Sequence, residues 1–176
     1  MQTYSPTFNR LAAAKAERIA GRVAERQDAL AAEKASAILA TPDAILDYLL
    51  AGRAVLTIVN RQTGGRFTFK ITRAEAKSPN DPPTWFVAAM AGTDHYQYLG
   101  FIRGERYLPN LLKVAADVPT QKAAMWLLPR MLEKHPLPGS VDVLHSGRCG
   151  RCGRTLTTPD SIERGLGPEC AHKAIY

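Results

Sequence analysis

The chain has 176 residues, of which 45% are hydrophobic and 22% are charged, and this length suits one compact domain with an appendage, or two small ones. Such a composition excludes a disordered chain. No apolar run approaches the ~20 residues that cross a bilayer, and charges recur from Arg10 onward, so we expect neither a membrane protein nor a signal peptide. Its 23 lysines and arginines outnumber 16 acidic residues, giving a formal charge of +7 that favours acidic partners such as nucleic acid.

Residues 1–40 form an alanine-rich, charged segment. Its apolar residues recur at helical spacing as a thin stripe: Leu11, Ile19, Val23, Leu30 and Ile38. So thin a stripe predicts a helix that is buried on one side at most. We interpret it as a solvated helix that packs on the core or on a second copy of itself, which would make a homo-oligomer; the alternative is a basic arm that contacts nucleic acid.

The stretch "TPDAILDYLLAG" has the signature of a helix, with Thr41 as N-cap, Pro42 in the first turn and Gly52 at the end. The pattern then changes to runs rich in β-branched and aromatic residues, separated by turn compositions. These runs are "AVLTIVN" (54–60), "RFTFKIT" (66–72), "TWFVAAMAG" (84–92) and "HYQYLGFI" (95–102), with "ERYLP" as a fifth. The short connections predict an antiparallel meander.

Residues 120–135 are predicted to form a second core helix, and "SVDVLH" a short strand beyond it. The predicted fold class is therefore α+β: a small antiparallel sheet packed by helices, with an N-terminal helical arm and a C-terminal zinc knuckle or ribbon-like module. The expected domains are the arm at residues 1–40, the α+β core at 41–140 and the zinc-binding module at 141–176.

Alternation within the strands predicts the two faces of the sheet. In the fourth strand, Leu99 and Phe101 are expected to face the core. The side chains expected on the opposite, outward face mix cations with aromatic rings and are Arg66, Lys70, Tyr96 and Tyr98.

All three cysteines lie near the C-terminal end. Cys149 and Cys152 share the sequence "CGRCGR", the form of a zinc knuckle, and Cys170 follows at a distance typical of the second half of a zinc ribbon. Three thiolates need a fourth ligand to complete a tetrahedron. His145 is favoured over His172, because a C-x-H pair strains the geometry that structural sites use. We expect one structural Zn²⁺ ion.

Other chemistry has weaker support. An odd number of cysteines without an export signal is no disulfide framework, and a redox C-x-x-C pair would need a βαβ pattern. Asp94 and His95 are adjacent in a turn, but no nucleophile or phosphate-binding loop accompanies them. We therefore expect a protein that is not an enzyme and name no catalytic residue.

The segment "HSGRCGRCGRTLTTPDSIERGLGPEC", residues 145–170, resembles the C-terminal signature of a phage and prophage family of unknown function. Members of that family end in approximately H-x-G-x-C-x-x-C-G-R-x-L-T-x-P-x-S-I-x-x-G-I-G-P-x-C, and Leu166 replaces the usual isoleucine here. A fainter resemblance covers "VNRQTGGRFTFKI" and the strands that follow. The resemblance implies a phage-encoded, zinc-containing accessory protein in the cytoplasm of a bacterial host, and it supplies no reaction.

Two functions are compatible with these patterns. The first is nucleic-acid binding, in which the knuckle arginines Arg148, Arg151 and Arg154 contact phosphates and the outward face of the sheet offers cations and stacking surfaces. The alternative is a modulator or inhibitor of a host bacterial protein, such as a defence or nucleic-acid-processing factor. A basic surplus gathered on one face favours the first, whereas scattered charge with an apolar patch favours the second.

Overall fold

The structure is a computed structural model that describes residues 37–92 and 95–173. The chain divides into two compact units, residues 1–36 and residues 37–176, and all of the described residues belong to the second unit. The predicted N-terminal helix lies almost entirely outside the described residues, as does Asp94. The predicted helix over residues 1–36 therefore stays a prediction. Ile38, the last apolar residue of its stripe, is not helical and forms an isolated antiparallel bridge with Leu144.

The first described helix, α1, spans Pro42–Leu50. The side chain of Thr41 accepts the backbone N–H of Ala44 at 3.2 Å, and Pro42 occupies the first turn. Both features start helices, because they satisfy or remove a backbone donor that has no partner within the helix. The apolar side chains of Ile45 and Leu49 are buried, so the predicted helix is confirmed.

Six antiparallel strands form one sheet in the order β5-β4-β3-β2-β1-β6. The strands are β1 (Arg53–Asn60), β2 (Arg66–Arg73), β3 (Thr84–Met90), β4 (Tyr96–Arg103), β5 (Arg106–Pro109) and β6 (Val141–His145). The first five are sequential neighbours and make the predicted meander, while β6 joins at the free edge of β1. The α+β fold class is confirmed.

One face of the sheet packs with α1 and with a second helix, α2 (Pro119–Leu132), around the core. The sequence placed the end of α2 at residue 135, three residues later than the structure has it. Fully buried side chains from both layers meet there, among them Phe69 and Ile71 of the sheet and Leu127 and Leu128 of α2. Of the helices in residues 37–92 and 95–173, none is long and apolar enough to cross a bilayer.

We call the opposite side of the sheet the outer face. Its side chains alternate along the strands with the core positions, and all of them except Thr84 are partly or well exposed. They are Arg53, Val55, Thr57, Val59, Arg66, Thr68, Lys70, Thr72, Thr84, Phe86, Ala88, Met90, Tyr96, Tyr98, Phe101, Arg103, Arg106, Leu108, Asp142 and Leu144.

A β-bulge interrupts strand β4. Val87 pairs with Gly100 whereas the next residue, Ala88, pairs with Tyr98, so Leu99 is the extra residue. Gly100 makes this geometry accessible, because its φ is +152° and a Cβ atom there would collide with the backbone of β5.

The bulge changes which side chains of β4 face the core. Leu99 and Ile102 are both fully buried, and Phe101 instead pairs with Phe86 on the outer face. The prediction that Phe101 faces the core was therefore wrong, since one extra residue reverses the alternation beyond it. The inward position of Leu99 and the outward position of Tyr98 are confirmed.

Candidate metal centre

Strand β6 leads into a tight hairpin that carries two of the three cysteines. The Cys149 N–H donates to the Arg154 carbonyl at 2.8 Å, and the Gly153 N–H donates to the Cys149 carbonyl at 2.9 Å. Arg148 and Thr155 form an isolated bridge at the base of this hairpin. Gly153 has a φ of +77°, a left-handed conformation that glycine adopts without steric cost. The "CGRCGR" sequence thus forms a tight hairpin, which we call the knuckle.

Two short helices bring in the third cysteine. Helix α3 spans Pro159–Arg164 and ends at Gly165, whose φ is +68°. Helix α4 spans Pro168–Ala171 and contains Cys170. The Gly150 N–H donates to the Gly165 carbonyl at 3.0 Å, which fastens the knuckle to the turn between the two helices.

The three sulfurs converge. The Sγ atoms of Cys149, Cys152 and Cys170 lie within 4.8 Å of one another, and all three thiols are free. In a tetrahedral zinc site the Zn–S bonds are about 2.3 Å long, which puts the sulfurs about 3.8 Å apart. The separation therefore fits three ligands of one metal ion.

The surroundings of Cys149 favour its thiolate. Burial raises the pKa of Cys149, but backbone N–H groups of Cys152, Gly167 and Arg151 directed at the sulfur bring that pKa to about 7. The Gly167 N–H is the donor seen at 3.4 Å. Burial and hydrogen bonds from the other two sulfurs raise the pKa of Cys170 to about 11. Cys149 thus ionises near neutral pH, and a bound cation would displace the proton of Cys170.

The ring of His145 is not part of the cluster formed by the three cysteine sulfurs. Its ring is buried, Nε2 lies 2.7 Å from the Ile162 carbonyl oxygen, and Nδ1 accepts the Gly147 N–H at 3.1 Å. A neutral imidazole that donates from Nε2 and accepts at Nδ1 has no lone pair left for a metal. Burial lowers the pKa of His145, partly offset by its bond to Ile162. The geometry does not support His145 as the fourth ligand; the ring joins β6 to α3.

The other candidate, His172, also lies outside the sulfur cluster. It caps the C-terminal end of α4 and is exposed. Within the described part of the chain, no histidine or carboxylate joins the three thiols. The sulfurs border a cleft that is also lined by Thr158, Ser161 and Glu169. The structure therefore brings together three candidate ligands, all of them thiols.

We expect the substitution His145→Phe to retain the metal. It keeps an aromatic ring but removes both ring nitrogens, so the Ile162 carbonyl and the Gly147 N–H lose their partner. Because both bonds are only partly buried, each loss should cost no more than the ~1–3 kcal/mol of a fully buried group. The melting temperature should fall while metal content, measured by elemental analysis of the purified protein, stays that of the wild type. Loss of metal from this variant, with His172→Ala unaffected, would identify His145 as a ligand after all.

The residues predicted to contact nucleic acid from the sheet do share one surface. Arg66, Lys70, Tyr96 and Tyr98 all occupy the outer face, on strands β2 and β4. The Lys70 Nζ atom lies 5.3 Å from the centre of the Tyr96 ring, which is a cation–π distance. Their contact with nucleic acid stays a prediction.

The knuckle arginines differ from one another. Arg148 donates to the Gly153 carbonyl and Arg151 to the Lys173 carbonyl, each at 3.2 Å, so both help to hold the module together. Arg154 is exposed and borders the cleft beside the sulfurs. In the described residues, neither Arg148 nor Arg154 forms an ion pair with a carboxylate.

The outer face also holds residues that the sequence analysis missed. Phe86, Phe101, Arg103 and Arg106 all lie there. The outward position of Phe86 could not be predicted, because "TWFVAAM" is apolar almost throughout and its residues do not alternate between apolar and polar. A glycine inside the fourth strand was the available sign of a bulge, and hence of the outward position of Phe101.

Comparison with known proteins yields one finding. Residues 141–175, from strand β6 onward, match the model of a family of unknown function, DUF6011. No curated protein and no solved structure matches the chain. The C-terminal segment that carries the three cysteines is thus similar to a family whose function is unknown.

Proposed function

We propose that this chain is a zinc-containing, non-enzymatic accessory protein that binds nucleic acid. The observation that carries the proposal is the charge of the sheet. Strands β1–β5 contain no acidic residue, and they contain six basic ones: Arg53, Arg66, Lys70, Arg73, Arg103 and Arg106. In the described part of the chain, none of these six forms an ion pair with a carboxylate. Such a surface attracts polyanions.

Most of these six basic side chains also lie on the same face of the sheet. All of the six except Arg73 occupy outer-face positions. The acidic residue of the sheet, Asp142 on β6, lies 3.5 Å from Arg61 and is neutralised by it. Asp142 shares the outer face with these cations, but its ion pair leaves the basic charge of the sheet in excess there. This excess favours nucleic acid over the alternative of a host-protein modulator.

The cysteine cluster supports zinc as the metal. Three thiolates are soft ligands, and a set of thiolates at tetrahedral spacing is typical of structural zinc. The Arg53 N–H donates to the Gly150 carbonyl at 2.5 Å, so the knuckle that carries Cys149 and Cys152 adjoins the first strand of the sheet. The proposal includes a phage origin and a location in the bacterial cytoplasm. Both rest on the resemblance of residues 145–170 to the phage and prophage family.

Titration of labelled DNA with the zinc-loaded full chain, followed by fluorescence anisotropy at low and moderate salt, tests the proposal. We expect binding that weakens steeply with salt, because bound lysines and arginines release counterions from the phosphates. Lys70→Gln and Arg66→Gln should each lower the slope of log affinity against log salt by about 1 if the side chain contacts a phosphate.

Lys113→Gln is the matched control, because it removes an exposed cation that lies outside the sheet. Its salt slope should equal that of the wild type. A chain that binds no strand even at low salt would refute the proposal and favour the protein-binding alternative, for which affinity capture from bacterial lysate is the next measurement.

A further inference from the structure

We infer that the outer face is a stacking platform for the bases of a single-stranded nucleic acid, an inference that rests on the proposed function and specifies its ligand. Phe86 and Tyr98 form its centre. Their ring centres are 6.1 Å apart in an edge-to-face arrangement, and the residues remain 48% and 37% exposed. Unpaired bases can stack on such rings, whereas the bases of a duplex are already stacked on one another.

The other two aromatic rings of the outer face already carry cations. The Arg103 guanidinium lies 5.2 Å from the centre of the Phe101 ring, and Lys70 Nζ lies 5.3 Å from that of Tyr96. These pairs hold two positive charges in place beside the central rings. The two rings left open for a ligand are those of the central pair.

The register of the sheet places a small side chain between the large ones. Ala88 pairs with Lys70 on β2 and with Tyr98 on β4, and Phe86 and Met90 are its outward neighbours along β3. With strands about 4.8 Å apart, four larger side chains surround one methyl group. A flat base can lie over Ala88 against the central rings, while its phosphate reaches Lys70.

The chemistry of this face favours a single strand over other occupants. An acidic peptide would satisfy Arg66, Arg103 and Arg106 but would leave the exposed rings in water. An apolar protein surface would cover the rings but would desolvate those cations without compensation, which is costly. A single strand brings flat apolar bases and phosphates together at the spacing of its own backbone, and so matches both features.

The test compares binding of the full chain to oligothymidine of about 12 nucleotides, within the site sizes of base-stacking folds, and to a duplex of the same length. Phe86→Ala and Tyr98→Ala should each weaken oligothymidine binding about 5- to 150-fold, the effect of removing one base–aromatic stack. The salt slope and the duplex affinity should remain those of the wild type. Oligouridine in a parallel series should show the same losses.

Two further variants make the result specific. Met125→Ala removes a side chain of similar exposure, 38%, from helix α2 on the other side of the sheet, and should bind oligothymidine as the wild type does. Phe86→Trp keeps an aromatic face and should retain most of the affinity. Melting curves of all variants should differ little, because each of the two central rings is more than a third exposed.

Wild-type affinity of Phe86→Ala and Tyr98→Ala for oligothymidine would overturn this inference while leaving the proposed function intact, since binding would then rest on charge alone. Absence of binding to single strand and duplex alike would overturn both. The remaining possible occupant of the outer face is a second copy of this chain, and sedimentation of the same variants tests for it. If Phe86→Ala converts a dimer to a monomer and leaves DNA binding unchanged, the outer face joins two copies of the chain and the inference is wrong.

Discussion

Cys149→Ser is expected to lose the bound metal and to destabilise the chain through the metal module, which comprises residues 146–173. The buried cluster of this module is small, formed by Leu156, Leu166, the Cys149 thiol and Ala51 from the end of α1. So few apolar side chains cannot offset the entropy of ordering the segment. The metal would supply the difference, on the order of 10 kcal/mol for structural zinc in small modules.

Calorimetric melting with added zinc and with excess chelator checks this expectation. The melting temperature of the wild-type protein should fall on chelation and recover when zinc is restored. That of Cys149→Ser should be low from the start and should change with neither treatment. Replacing zinc by cobalt adds a readout, because thiolate-to-cobalt absorption should weaken when one sulfur is lost.

Thr157→Ser is a suitable control, because it alters an exposed side chain of the same cleft and leaves all three thiols in place. It should behave as the wild type in all three measurements. A chelator-insensitive wild type, or a Cys149→Ser variant that still melts high with zinc, would show that the three thiols are not a structural metal site.

The sequence predicted those parts of the fold that depend on neighbours in the chain. Helix α1 was identified because its signals are local: the Thr41 cap, Pro42 in the first turn and the apolar spacing after them. The meander followed from short turns between β-branched runs. The facing of Phe101 was missed because a bulge depends on the close approach of Gly100 to strand β5, and that approach is a tertiary contact.

The same distinction applies to the metal site. The spacing of Cys149, Cys152 and Cys170 predicted three sulfurs that the structure brings together, since a knuckle and a returning helix are built from local turns. The fourth ligand was chosen from the position of His145 near the knuckle. That choice could not foresee α3 folding back so that the Ile162 carbonyl meets the ring of His145.

Gly165→Ala is expected to destabilise the chain, because Gly165 packs against the ring of Tyr48, a fully buried residue of α1. A Cβ atom at Gly165 would lie 2.5 Å from Tyr48 Cδ2, and one at Gly150 would lie 2.8 Å from the same atom. The Tyr48 hydroxyl lies 3.1 Å from the Val55 carbonyl and 3.3 Å from that of Arg148. Tyr48 therefore joins the sheet core to the metal module, and the two should unfold together.

The expected cost of Gly165→Ala has two parts, which urea denaturation can separate. The left-handed φ of +68° costs an alanine about 1–2 kcal/mol, and the collision with Tyr48 adds more. Gly64→Ala isolates the first part, since Gly64 has a φ of +71° and nothing within 4 Å of the new Cβ. The excess of Gly165→Ala over Gly64→Ala is then the cost of the collision.

A double-mutant cycle tests whether that excess belongs to Tyr48. Tyr48→Ala alone should cost about 3–5 kcal/mol, as for other large-to-small core substitutions. It also opens the space that a methyl group at residue 165 needs, so Gly165→Ala should then cost no more than Gly64→Ala. If Gly165→Ala costs the same with and without the ring, the packing of Tyr48 against the metal module contributes nothing to stability, and the core and the module should melt as separate units.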